Sequence, residues 1–159
     1  MLSKALVGVA LGAAFGFLAA LHVFWAFGGT WGAGAAVAEI DGRPRFVPSR
    51  GATLAVAAAL IAAAVVVLTR ADLILSFVPR WASQWAAGVL GAVFVLRALG
   101  DFRLIGFFKS VRGTRFAGRD TWLYSPLCLL LGLGAVWLAF GSRQPPAAKI
   151  RDGAVDRRR

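Results

Sequence analysis

Four apolar runs, at about 5–27, 52–68, 81–99 and 121–141, constrain this chain more than any other feature of its sequence. Each approaches the roughly 20 residues that a helix needs to cross a hydrocarbon core. Lipid gives the backbone no hydrogen-bond partners, so a crossing segment must be a helix unless it closes a barrel, and nothing here resembles a barrel. Composition agrees. With 59% apolar residues and a mean hydropathy of +0.73, a soluble domain of 159 residues could not cover its surface. The expected fold is all-α, an integral membrane four-helix bundle in one domain over residues 1–141. A basic, disordered tail is expected over 142–159. Lys4, the run after it and Ala36–Ala38 imitate a secretory signal, but that run is about twice a 7–15-residue signal core. The first span is read as retained.

Within that span Gly8, Gly12, Gly16 and Ala20 recur every four residues, a stripe that lets another helix approach closely. Gly is also simply common in membrane helices. With three partner spans in the same chain, packing inside the bundle is favoured over dimerisation. The second span, ATLAVAAALIAAAVVVL, has almost no large side chains and is expected at the bundle centre. In the third span Arg97 and Asp101 are four apart, the spacing of a pair on one helix face. The third loop repeats Leu104, Phe107, Phe108 and Val111 at helical spacing, with Arg103, Lys109 and Arg112 mostly opposite. That pattern predicts an amphipathic helix over about 103–112, lying in the headgroup plane. Pro126 either opens the fourth span behind Ser125 or kinks a helix begun near Asp120. The kinked form is preferred, because a helix starting at Pro126 is short for a full crossing.

An even number of spans puts both termini on one face. That face would carry nine basic residues and the other eight, too close for the positive-inside rule to decide. Lys4, flanking the first span, favours cytoplasmic termini in a cell membrane. Alternation then brings His22, Trp25, Arg97, Asp101, Asp120, Tyr124 and Ser125 to one level of the other face, beneath both long loops. The terminal face offers little beyond Trp81, Gln84 and the charges of the tail, so polar chemistry is expected on one side only.

Each of these residues has a structural role open to it beside a functional one. His22, the single histidine, can bind a ligand or move a proton, or it can bond a neighbouring carbonyl. Arg97 can hold an anion, snorkel, or pair with Asp101. Trp25, Trp31, Trp122 and Tyr124 suit an interfacial belt as well as a ligand cage. Arg112, Arg115 and Arg119 can face lipid phosphates or, with the glycines of RGTRFAGR, form a specific anion site.

Several function classes are excluded. The single cysteine, Cys128, rules out an intrachain disulfide, and no His/Cys/Glu cluster has metal-site spacing. One histidine cannot supply a bis-histidine haem site, and no phosphate loop or Ser–His–Asp set is evident. No cofactor is implied. The net charge of +11 sits beside apolar spans, where anionic headgroups are nearer partners than nucleic acid. Arginine outnumbers lysine fifteen to three among abundant Ala and Gly, a composition that hints at a bacterium with GC-rich codons.

Through LHVFWAFGGTWG and GFFKSVRGTRFAGRDTWLYSPLCLLLGLGA, the chain resembles a family of small, mostly actinobacterial four-span proteins catalogued as a domain of unknown function (three-nine-nine-five). The likeness covers most of residues 4–141, and the third-loop block is its more specific part. It implies a four-helix bacterial membrane protein and carries no activity, substrate or catalytic residue. RDTWLYSP departs from the family's basic and aromatic pattern there, so no role passes to Trp122.

Three functions follow as expectations. The leading one is a non-enzymatic module that binds a lipid headgroup or anionic amphiphile, with Trp25, Arg97, Arg112, Arg115 and Arg119 as ligand residues. The second is an intramembrane enzyme using His22 as acid or base, with Asp101 or Asp120 as orienter and Tyr124 as a further donor. The third is a structural subunit that presents the Gly8–Gly12–Gly16 face to a membrane protein partner.

Overall fold

The computed structural model describes residues 3–33, 39–40, 43–44, 48–74 and 77–141. The tail expected over 142–159 lies outside them. Four helices run Lys4–Ala26 (α1), Arg50–Arg70 (α2), Arg80–Leu99 (α3) and Arg115–Gly141 (α4), each long and apolar enough to cross a membrane. The all-α expectation therefore holds. The one addition is a two-residue antiparallel ladder, Glu39–Ile40 (β1) with Arg43–Pro44 (β2), in the first loop.

Short polar side chains start three of the helices. Ser3, Ser49 and Thr114 accept hydrogen bonds from the N–H groups of Leu6, Ala52 and Ala117, satisfying donors that a first turn leaves open. Gly28 and Gly100, with φ of +95° and +97°, stop α1 and α3 in a conformation that glycine adopts without strain.

Close approach at small residues sets the packing. The α1 stripe faces α2 at Gly8, which meets Ala71, and at Gly12, which meets Leu68. Gly16 has open space around it and Ala20 is exposed. A four-residue repeat overshoots the 3.6-residue turn by about 40° a step, so the stripe winds off the contact face after two members. The tightest crossing joins α3 to α4, where Gly91 and Gly132 each lie against the other's backbone. On the neighbouring side of α4, Gly134 receives Leu11 of α1. Two small faces make α4 the most enclosed span, with 33% of its apolar stretch buried against 22% for α2. The expectation of a central α2 is corrected. Alanines permit close approach on any side, but they do not compel it, and Val56, Ile61 and Val65 face outward.

The core is formed by Leu11, Phe15, Leu60, Val67, Leu131 and Leu138, and Phe15 meets Phe94 of α3 edge-on at 5.2 Å.

Pro126 lies within α4 rather than at its start. Proline has no N–H, and its ring crowds the carbonyl four residues back. The turn before it widens, so that Ser125 N–H bonds the carbonyl of Asp120, five residues earlier. The extra residue lets Asp120 and Ser125 both face the interior, and both are fully buried.

Candidate functional site

The amphipathic helix expected over 103–112 is not formed. Residues 101–114 make a folded loop, and helix resumes only at Arg115. Positive φ values at Gly100, Phe102, Gly106 and Gly113 break the helical path repeatedly, which the apolar spacing alone does not reveal. The loop folds back over the end of α3. Phe107 and Phe108 donate their N–H groups to the carbonyls of Ala98 and Leu99, which a helix end leaves unpaired. Gly100 and Gly106 touch at this crossing, where a Cβ on either would strike backbone.

Asp101 does not pair with Arg97, contrary to the four-residue spacing. The helix ends at Leu99 and Gly100 turns the chain, so Asp101 leaves the helical face. One of its carboxylate oxygens accepts three backbone N–H groups, from Arg103 (2.9 Å), Leu104 (2.7 Å) and Ile105 (3.0 Å). Burial is the largest single influence and raises its pKa, but the three bonds together outweigh it and hold the carboxyl below its ordinary value.

Arg97 binds Asp120 instead, at 2.9 Å. The second oxygen of Asp120 accepts Gly106 N–H at 2.7 Å and the ammonium of Lys109 at 3.1 Å. Lys109 also donates to the Gly106 carbonyl (3.0 Å) and the Thr121 hydroxyl (2.6 Å), so all three of its protons are placed. Thr121 in turn donates to the Ala117 carbonyl. A buried carboxylate between two cations thus clamps the loop, α3 and α4 together. Both Asp120 oxygens are engaged, while Arg97 Nη1 and the Ser125 hydroxyl beside the clamp are buried without a hydrogen-bond partner among the described residues.

The sequence places His22 at this level, but among the described residues its hydrogen bond and ring contact stay within α1. Its Nδ1 lies 2.8 Å from the Leu18 carbonyl, which can only accept, so Nδ1 carries the proton. Its ring meets Trp25 edge-on at 4.9 Å. Neither Asp101 nor Asp120 bonds it. Trp25 closes the turn after α1 by donating to the Trp31 carbonyl at 2.8 Å. Tyr124 lies tilted against Phe116.

The structure brings Arg97 and Asp120 together and leaves the other candidate cations on the rim. Arg103, Arg112, Arg115 and Arg119 are exposed, and among the described residues Arg112 bonds only the Lys109 carbonyl, at 3.4 Å. Exposed Phe102, Phe108 and Trp122, the last at 86%, stand among them.

Sequence reasoning missed a second polar cluster, on the terminal face. Asp72 binds Lys4 at 2.6 Å and Arg80 at 3.1 Å, tying α1, α2 and α3 at one end. The expectation of one-sided polar chemistry is corrected. Asp72 follows α2 in a left-handed conformation (φ +59°), with Asp72 N–H bonded to the Thr69 carbonyl and Leu73 N–H to that of Leu68. Glycine is the usual residue there. The signal in the sequence was an acid in the glycine position after a helix ending in arginine.

The hydrogen bond from Lys4, with further attraction from Arg80 and Arg70, outweighs burial and holds Asp72 below the ordinary carboxylate pKa. A lowered folded pKa stabilises the protein above the unfolded value of about 4, and that contribution disappears as pH falls through the folded value. The side chain is 44% exposed, so the effect is small. The difference in thermal midpoint between wild type and Asp72→Asn is expected to shrink as pH falls from about 5 to about 3. A difference that stays constant over that range would refute it.

Four apolar helices, closed at one end by a clamped loop and at the other by a three-helix ion cluster, define a small multi-pass membrane helix bundle. Within that class the chain belongs to a family described as protein of unknown function (DUF3995), whose model matches residues 15–135. No curated protein and no solved structure matches it.

Proposed function

We propose that this protein is a non-enzymatic module of the cell membrane, with cytoplasmic termini, that gathers anionic lipid headgroups at its far face. The observation that carries the reading is the arginine rim on the clamped loop. Arg103, Arg112, Arg115 and Arg119 are exposed, and none pairs with a carboxylate among the described residues. Arg97 gives one terminal nitrogen to Asp120, so the reading rests on the rim arginines rather than on it. Exposed Phe102, Phe108 and Trp122 supply the interfacial aromatics that anchor such a rim at headgroup depth. The clamp fixes the backbone that carries these cations, so only their side chains must order on binding.

Each cation near an anionic surface contributes about 1 kcal/mol. Replacing Arg112, Arg115 and Arg119 together by glutamine is expected to lower the preference for phosphatidylglycerol over phosphatidylcholine at least about tenfold. Spin-labelled versions of the two lipids, in vesicles containing the protein, measure that preference. An unchanged ratio in a folded triple variant would sink the reading.

A further inference from the structure

At the terminal face, residues at the end of α2 and the start of α3 line an open cleft of about 330 Å³. That is at the small end of the range for ligand pockets. Thr69, Arg70, Asp72 and Arg80 supply its polar lining, and Leu73 and Val78 form part of an apolar wall. Arg70 is held firmly at its base. One terminal nitrogen donates to the Ala139 carbonyl at 3.1 Å, in the last described turn of α4, where a cation complements the negative helix end. Its Nε is buried and has no partner among the described residues. A buried N–H without an acceptor is costly, which favours an anion beside it. Across the cleft, Arg80 is 73% exposed and gives one terminal nitrogen to Asp72. Guanidinium carries five N–H donors, which leaves most of its capacity open. Lys4, Arg70 and Arg80 face a single carboxylate, Asp72, so the cluster carries two positive charges in excess.

We propose that this cleft binds a phosphate group of net negative charge, with the guanidinium groups of Arg70 and Arg80 as its donors. Planar guanidinium forks match phosphate oxygens, and the Thr69 hydroxyl adds a neutral donor. The apolar wall stands where the chain meets lipid and covers the carbon next to the phosphate. The phosphate comes from a lipid headgroup or from a free phosphate ester. This site shares no residue with the arginine rim, so either can fail without the other.

Two arms test it on the full chain. Inorganic phosphate is titrated into the protein in a neutral detergent by calorimetry. Separately, native mass spectrometry counts lipids retained from vesicles of equal phosphatidylglycerol and phosphatidylcholine. Arg80→Gln and Arg70→Lys are each expected to weaken phosphate binding or phosphatidylglycerol retention about tenfold, the value of a charge-assisted hydrogen bond. The rim triple variant is expected to leave inorganic phosphate binding unchanged. Inorganic phosphate bound in the first arm assigns the site to the free ion, and phosphatidylglycerol retention that survives in the rim triple variant but is lost in Arg80→Gln assigns it to the headgroup. Should Arg70→Lys unfold, Arg80→Gln and Thr69→Val, which touch no core packing, decide the matter. The proposal falls if neither probe binds selectively, or if binding persists at wild-type strength in folded Arg80→Gln and Thr69→Val.

Discussion

Asp120→Asn is expected to destabilise the protein by about 3–5 kcal/mol, the loss seen when one partner of a buried ion pair is removed. The change keeps the size of the side chain, removes its charge and turns one of its two acceptor oxygens into a donor NH2. Arg97 and Lys109 would then share a buried site without a counterion, and Lys109 is almost fully enclosed. Gly106 N–H and Lys109 share one oxygen and Arg97 binds the other, so the single amide oxygen can accept on one side only and the other side meets an NH2 donor. The thermal midpoint in detergent should fall by roughly 10 °C. A second variant separates charge from shape. Lys109→Met removes one of the two orphaned cations, so the double variant should lose less than the sum of the two single changes. A midpoint for Asp120→Asn within a degree or so of wild type would show that the clamp does not hold the cap.

The fold was legible because lipid imposes a length and a composition that no other environment asks for, and four runs met both demands. The cap was not, and the reason is local. Leu104, Phe107, Phe108 and Val111 carry a helical period, yet Gly100, Gly106 and Gly113 sit where the backbone needs positive φ. Apolar spacing records which residues avoid water, and it carries no information about backbone sign. Arg97 shows the same limit at the level of pairing. Its neighbour in sequence, Asp101, stood at ideal helical spacing, but one glycine between them turned the chain, and the partner came from 23 residues away.

The level of the candidate site was partly legible. Alternation of spans correctly brought Arg97 and Asp120 to one end, because crossing helices must reverse direction. It could not say which side of α1 His22 would occupy, and His22 turned out to be bonded to its own helix. Asp72 was passed over because it lies between two spans in what reads as a plain loop. Its importance comes from Lys4, 68 residues earlier, which only the packing of α1 on α2 brings near.

Glycines supply the sharpest contrast between sequence and packing. Gly16 and Gly91 look alike in their spans, and the regular stripe singles out Gly16. A Cβ at Gly16 would meet nothing within 4 Å, whereas one at Gly91 would lie 2.9 Å from both the Gly132 carbonyl oxygen and the Val136 nitrogen. Backbone cannot step aside as a flexible side chain can, so even a methyl group must push α3 and α4 apart. Helix association in lipid relies on close packing rather than hydrophobic drive, and separation removes the main attraction between the two spans. Gly91→Ala is therefore expected to cost about 2–3 kcal/mol, the upper part of the range for overpacking. Gly16→Ala should be neutral or stabilising by up to about 1 kcal/mol, since alanine is the better helix former. Both are read by reversible unfolding in mixed micelles. Equal effects from the two substitutions would mean that α3 and α4 do not cross at Gly91 and Gly132, and the enclosed position of α4 would fall with that crossing.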